Sequence, residues 1–364
     1  MATVYVTSTD TFSGKSALCV GLGKRFLRDG FTVGYMKPVS TVARKVEGRV
    51  IDEDAEFIKQ TLNLPEPMET IAPVILTPQT VEAVLKGEEK TDFAAKLQRA
   101  FSEVTKGRDV ILLEGGASLR EGYIIDLPTP YVAELLKAQE LVVVKYTNNL
   151  QVVDDVLTAR ARLGDSMVGV VLNAVPRQRM PLVENVIKPA LQKRGITVFA
   201  TLPQERLLLS ISVTELAECL NGEVLCGHEY VGELVEHLMV GAMSVDSALT
   251  YFRRKPNKAV ITGGDRPDIQ LAALETSTKC LILTGNLRPS PIILGRAEEV
   301  GVPMILVKQD TLTAVEIIEQ FFGKTRFHQE KKVRRFERML DERFDFDAFY
   351  KELKLEKGAF ESAS

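Results

Sequence analysis

Six short runs dominated by Val, Ile, Leu, Thr and Tyr, at 3–6, 32–36, 109–113, 141–145, 167–172 and 197–200, constrain this chain more than any other feature. They lack the strict apolar–polar alternation of a strand with one wet face, so they read as strands buried on both faces. Helix-length stretches lie between several of them, at 15–28, 92–105, 130–137, 152–163 and 182–193. That alternation predicts an α/β fold with a parallel sheet covered by helices on both sides. In such sheets ligands gather at the carboxyl ends of the strands. Chemistry is therefore sought just after each run.

The 364 residues are too many for one comfortable core. A Pro-containing polar stretch, LPQERLLLSISVTELAECLNGEVLCG, leads out of the first series. A second series follows, with strands expected at 259–262, 280–284 and 304–307 and helices at 231–243, 268–276, 291–300 and 311–321. The expected domains are 1–208, 209–325 and a charged helical tail over 326–364 that ends in a frayed tip. Within the tail, Val333, Phe336 and Leu340 fall at helical spacing, which suits either a helix packed on its own chain or a partner-binding helix. A net charge of −3 offers no global field for nucleic acid. No apolar run reaches the roughly 18 residues of a membrane span. Cys19, Cys219, Cys226 and Cys280 form no C-x-x-C pair, so neither a zinc site nor a disulfide framework is indicated. With no signal peptide evident, a cytoplasmic protein is the expectation.

The first strand runs into TSTDTFSGKS, residues 7–16. A phosphate loop aims backbone N–H groups at phosphate oxygens from the start of a helix, adds a lysine for the outer phosphates, and places a hydroxyl on magnesium. Gly14, Lys15 and Ser16 supply the end of that pattern, but its usual first glycine would fall at Thr9. Further strand ends carry Lys37 in MKPVST, Glu114 in LLEGG and Asn173 in GVVLNAVP, and between the first two lie Asp52 and Asp54 in VIDEDAEFIKQ. Each has a plainer reading: a surface lysine before a turn, acids at a helix N-terminus, an Asn opening a turn. An unpaired buried Glu114 would be costly, which favours a metal ligand or its close support.

The loop closely resembles the longer G-T-D-T-x-x-G-K-T loop of dethiobiotin synthetases, with Ser8 at the first glycine and Ser16 at the last Thr. The resemblance implies a P-loop NTPase domain that binds ATP and Mg2+. Thr9, Asp10, Thr11, Ser13, Gly14, Lys15, Ser16 and Ala17 would hold the nucleotide phosphates, and Asn173 the adenine. Lys15 and Lys37 would be catalytic, and Ser16, Asp54 and Glu114 would take magnesium. It also implies a homodimer. A loop without a lysine in its first half speaks against the ParA/MinD-type ATPases. Ser8 departs from the pattern, and if its position needs positive φ the strain is about 1–2 kcal/mol. Phe12 stands where an acid is common, and the residues after Gly116 diverge, which puts the substrate side in doubt.

The second half resembles the DRTGG domain, in Asp265-Arg266-Pro267-Asp268 after one strand and Thr284-Gly285-Asn286 after the next. The resemblance implies a smaller three-layer α/β domain, with Asp265, Arg266, Thr284 and Gly285 as ligand candidates for an effector or partner. Helix capping by the acids, with Arg266 pairing to them, stays open. This domain order resembles the N-terminal region of long bacterial phosphotransacetylases, over residues 2–325. The catalytic domain of those enzymes is not in the sequence, so the chain is not expected to be a phosphotransacetylase. An ATP/Mg-binding regulatory or sensory protein is the leading expectation. The alternative is an ATP-dependent ligase or kinase acting on a carboxylate or carbamate. Slow hydrolysis is left open.

Overall fold

In the computed structural model, which describes residues 1–46, 49–322 and 327–356, the chain divides into two units. One comprises Met1–Gln204 with Phe327–Ser364, the other Glu205–Arg326. The first is built on β1 (Ala2–Ser8), β2 (Val33–Met36), β3 (Val110–Glu114), β4 (Gln139–Lys145), β5 (Met167–Val175) and β6 (Val198–Pro203). The sheet order is β6-β5-β4-β1-β3-β2, and every pairing is parallel. All seven residues of β1 and all five of β3 are buried, which is why these runs show no alternation.

Helices cover both faces. One core joins Leu97, Ala100 and Val104 of a helix over Phe93–Val104 to Met36, Ile111 and Leu113. The other joins Val152, Val156 and Ala159 of a helix over Asn149–Leu163 to Val142, Val170 and Leu172. Strand β1 lies centrally, so the loop leaving its carboxyl end is flanked by the ends of β3 and β4.

The main sheet of the second unit has five strands: β7 (Glu223–Cys226), β8 (His237–Val240), β9 (Lys258–Gly263), β10 (Thr278–Thr284) and β11 (Met304–Leu306). Their order is β7-β11-β10-β9-β8, with only β7 antiparallel to its neighbour. The helix expected over 231–243 is not formed. Leu234–Val235 pairs with Ile211–Ser212, and β8 pairs with β9. The apolar residues at 234, 235, 238 and 239 have helical spacing, but Gly232 and Gly241 weaken a helix at both ends. Pairing also covers what would otherwise be an open edge of β9.

After the second unit the chain returns to the first. Helix α1 (Lys15–Arg28) receives a tail helix, α2 (Glu330–Arg343), through buried Val333, Phe336, Met339 and Leu340. Contact is closest at Gly21, where a Cβ would sit 2.3 Å from Leu340 Cδ1. Lys24–Glu337 at 2.9 Å and Arg25–Asp341 at 3.1 Å flank the seam. A last helix, α3 (Phe346–Glu352), places Phe349 between Phe26 and Phe199, with ring centroids 6.4 and 5.0 Å away. The tail is thus aromatic-cored beneath a charged face. The frayed tip expected at its end, and the segment 323–326, lie outside the described residues.

Candidate functional site

The phosphate-loop candidate is the turn from β1 into α1. Gly14 has φ 99°, a left-handed conformation that glycine accepts freely. A Cβ there would also lie 2.5 Å from Asn173 Nδ2. Ser8 does not need glycine's freedom. It is the last residue of β1 and has no positive φ, so the strain considered for it is absent. The left-handed non-glycine residue is Phe12, φ 51°, whose side chain is exposed.

Lys15 is 8% exposed. Its Nζ donates to Ser8 Oγ at 2.8 Å and to the Ala117 carbonyl at 3.1 Å. Burial pushes the ammonium below its ordinary range, while nearby Glu114 opposes the shift. Ser8 Oγ and Ser13 Oγ both donate to the Asp10 carbonyl, at 2.7 and 2.5 Å. Asp10 itself is exposed and accepts from the Thr11 N–H at 2.8 Å. Thr9 Oγ1 is buried with no hydrogen-bond partner among the described residues. Ala17 opens the buried face of α1.

Glu114 ends β3 at 2% exposure. Its carboxylate accepts from Ser16 Oγ at 2.7 Å and from Tyr35 OH at 2.7 Å. Burial raises its pKa, Lys37 opposes that, and Asp54 adds to it. Tyr35 was not singled out from the sequence. A tyrosine inside a buried strand, one position before a strand-end Met-Lys, was the available signal, since a buried phenol needs a partner.

Lys37 is 3% exposed and pairs with Asp52 Oδ2 at 2.7 Å. Burial works against its charge, but the Glu114 and Asp52 carboxylates outweigh it and hold the ammonium above its ordinary range. Asp52 also accepts from Ser40 Oγ at 2.5 Å and caps the helix Glu53–Thr61 through Ala55 N–H at 2.9 Å. Asp52, not Asp54, is therefore the buried partner of Lys37. Asp54 lies half-buried two residues further on, in the first turn of that helix, and meets His328 Nε2 at 2.9 Å.

Asn173, at the end of β5, donates through Nδ2 to the Ser13 carbonyl at 2.8 Å, and its Oδ1 accepts from Ala174 N–H at 2.8 Å. It braces the back of the loop. The fold thus gathers Lys15, Ser16, Lys37, Glu114 and Asn173 around the strand ends. Ser16 Oγ, the Glu114 carboxylate and that of Asp54, whose charge acts on Glu114, are hard oxygen donors of the kind magnesium takes, completed in such sites by water and phosphate oxygens. Among the described residues no group of three or more His, Cys, Asp or Glu could hold a metal unaided.

In the second unit, Arg266 bonds Asp268 through Nε at 3.0 Å and Nη2 at 2.9 Å, and the Met243 carbonyl at 3.1 Å. Asp265 is exposed. Thr284 Oγ1 meets Thr311 Oγ1 at 2.9 Å, and Gly285 has φ 76°. The turns after β9 and β10 touch: a Cβ on Gly264 would lie 1.7 Å from the Leu287 carbonyl oxygen. No helix among the described residues is long and apolar enough to cross a membrane.

Comparison with known proteins supports the two domains and their order. A phosphate acetyltransferase of Nitratidesulfovibrio vulgaris is 23% identical, covering 93% of this chain and 50% of its own length. One from Synechocystis is 26% identical, over 83% of this chain and 44% of its own. A dethiobiotin synthetase of Methanococcus vannielii is 28% identical, over 51% of this chain and 85% of its own. The chain spans about half the length of these acetyltransferases. Residues 215–321 match the DRTGG domain. Residues 2–212, more than half of the chain, match the AAA domain family, and the chain belongs to that family, as a dethiobiotin-synthetase-like P-loop domain joined to a DRTGG domain.

Proposed function

We propose that the first unit binds ATP with Mg2+ at the β1–α1 loop and that the DRTGG domain links this state to an effector or partner, making the chain a regulatory or sensory protein. One observation carries the reading. Consecutive loop residues present a buried ammonium, Lys15, and a hydroxyl, Ser16, bonded to the buried Glu114 carboxylate. Buried charges of both signs are expensive unless used or paired, and here they stand where phosphate and cation are expected. Ser16, Glu114 and Asp54 would hold the magnesium, which when bound neutralises phosphate charge. Lys15 would supply its remaining N–H to a phosphate oxygen, while Asn173 keeps the loop from collapsing backwards.

The test is calorimetric titration of ATP with Mg2+ into the wild type and Lys15→Ala. Micromolar binding that is lost in the variant is expected. A wild type that does not bind would refute the reading.

A second reading rests on Lys37, a buried cation at the next strand end but one. Such a lysine suits an ATP-dependent ligase or kinase acting on a carboxylate or carbamate, where it would stabilise charge developing on the transferred phosphoryl group. ATP turnover that diaminopelargonate and bicarbonate leave unchanged would retire its dethiobiotin-forming version.

A further inference from the structure

We propose that His328 is a positioning residue for the magnesium site, holding the Asp54 carboxylate in the orientation the cation needs. The proposal rests on the reading above that the first unit takes a magnesium nucleotide. Asp54 sits in the first turn of the helix Glu53–Thr61, and its Oδ1 lies 2.9 Å from His328 Nε2. A carboxylate can only accept here, so Nε2 carries the hydrogen whatever the charge of the ring. The ring is itself held. It stacks on Phe57, one turn further along the same helix, with centroids 4.7 Å apart and planes at 25°. Asp54 and Phe57 therefore grip the imidazole from one helix face, and the imidazole fixes the carboxylate in return.

Asp54 also belongs electrostatically to the loop: its charge raises the pKa of both Glu114 and Lys37. Carboxylates that ligate metals are commonly oriented by such outer hydrogen bonds, and losing one typically weakens metal affinity about 10–100-fold. What is unusual is the source of the bond. It comes from the second residue of the segment by which the chain re-enters the first unit at Phe327. The metal site would then be completed by a side chain some 270 residues downstream of Asp54.

The experiment is ATP titration into the full-length chain, with Mg2+ and separately with EDTA, for the wild type, His328→Ala, His328→Gln and Asp54→Asn. The readout is the ratio of affinity with Mg2+ to affinity in EDTA. The expected result is a fall in that ratio of roughly 10-fold in His328→Ala, with EDTA affinity unchanged. His328→Gln, whose amide N–H can replace the imidazole donor, should recover most of it. In Asp54→Asn the ratio should fall, and adding His328→Ala should cause no further loss. An unchanged ratio in His328→Ala overturns the proposal. So does an equal loss with Mg2+ and EDTA, which would mark a purely structural residue. If the wild type binds no nucleotide, the functional reading falls and takes this inference with it. If the wild type binds ATP equally well with and without Mg2+, only the metal site and this inference fall.

Discussion

The two sheets end differently. At the carboxyl edge of the first, Lys15, Lys37, Asp52 and Glu114 are all buried, and each bonds another charge or a loop hydroxyl. At the same edge of the second, Asp265 and Asp268 are exposed and Arg266 half-buried, while the buried polar groups are Thr262, Thr284 and Gln270. Removing an ion from water costs several kcal/mol even after relaxation. The first edge therefore keeps its charges bonded inside the fold, whereas the second leaves its Arg266–Asp268 pair near solvent and is otherwise tied by neutral bonds and a tight glycine contact. At their amino ends the sheets are alike. Each has a buried titratable residue at the start of a strand, Glu140 second in β4 and Lys258 first in β9.

The sharpest way to break the comparison is Lys37→Met. It leaves Asp52 buried without its cation and should destabilise the first unit by about 3–5 kcal/mol in urea unfolding at pH 7. A loss below about 1 kcal/mol would mean that this edge is wetter than it looks.

Glu140 gives the next largest effect. Burial pushes its carboxyl up to about 7, above the ordinary unfolded value of about 4.3. The folded state then binds the proton more tightly. Stability is full below about pH 4.3 and falls by about 3–4 kcal/mol as pH rises through 7. Glu140→Gln should flatten that slope in calorimetric melts, and a slope that survives the substitution must have another origin.

Lys258 should act in the opposite sense. Its Nζ bonds Thr276 Oγ1 at 2.8 Å and the Ser277 carbonyl at 3.0 Å, both neutral, and burial lowers its pKa to about 8. The unfolded state holds the proton longer, so the second unit should gain about 2 kcal/mol between pH 8 and about 10.4. Lys258→Met should abolish the gain, and melts of that variant that still stabilise over this range would count against it. Smallest of all is Arg266→Ala, expected to change stability by less than about 1 kcal/mol because its pair with Asp268 is largely solvated. A larger loss would show that this pair is shielded from water.

The first sheet was readable because its strands are buried on both faces and its helices are long. The loop was readable because Gly14, Lys15 and Ser16 are contiguous. What escaped depends on contacts between distant residues. Leu234–Val235 and β8 took strand form because partners at 211–212 and in β9 were waiting for them. The roles of Asp52 and Tyr35 follow from side-chain reach inside the fold, to Lys37 and Glu114, which spacing cannot supply. His328 is the extreme case, since nothing near it in sequence points to Asp54.

The chain leaves the first unit at Gln204 and re-enters at Phe327, so the second unit is an insertion. Seen as polymer physics, it is a spacer of about 120 residues between the body of the first unit and the helices that seal α1. While folded it is compact, and its chain reaches far less than when unfolded. Unfolded, it would leave the tail on a long slack tether, and each doubling of such a loop adds about 0.6 kcal/mol to the entropy of closing it. Docking of α2 and α3, and with it the seal over the helix that begins at Lys15, would then weaken.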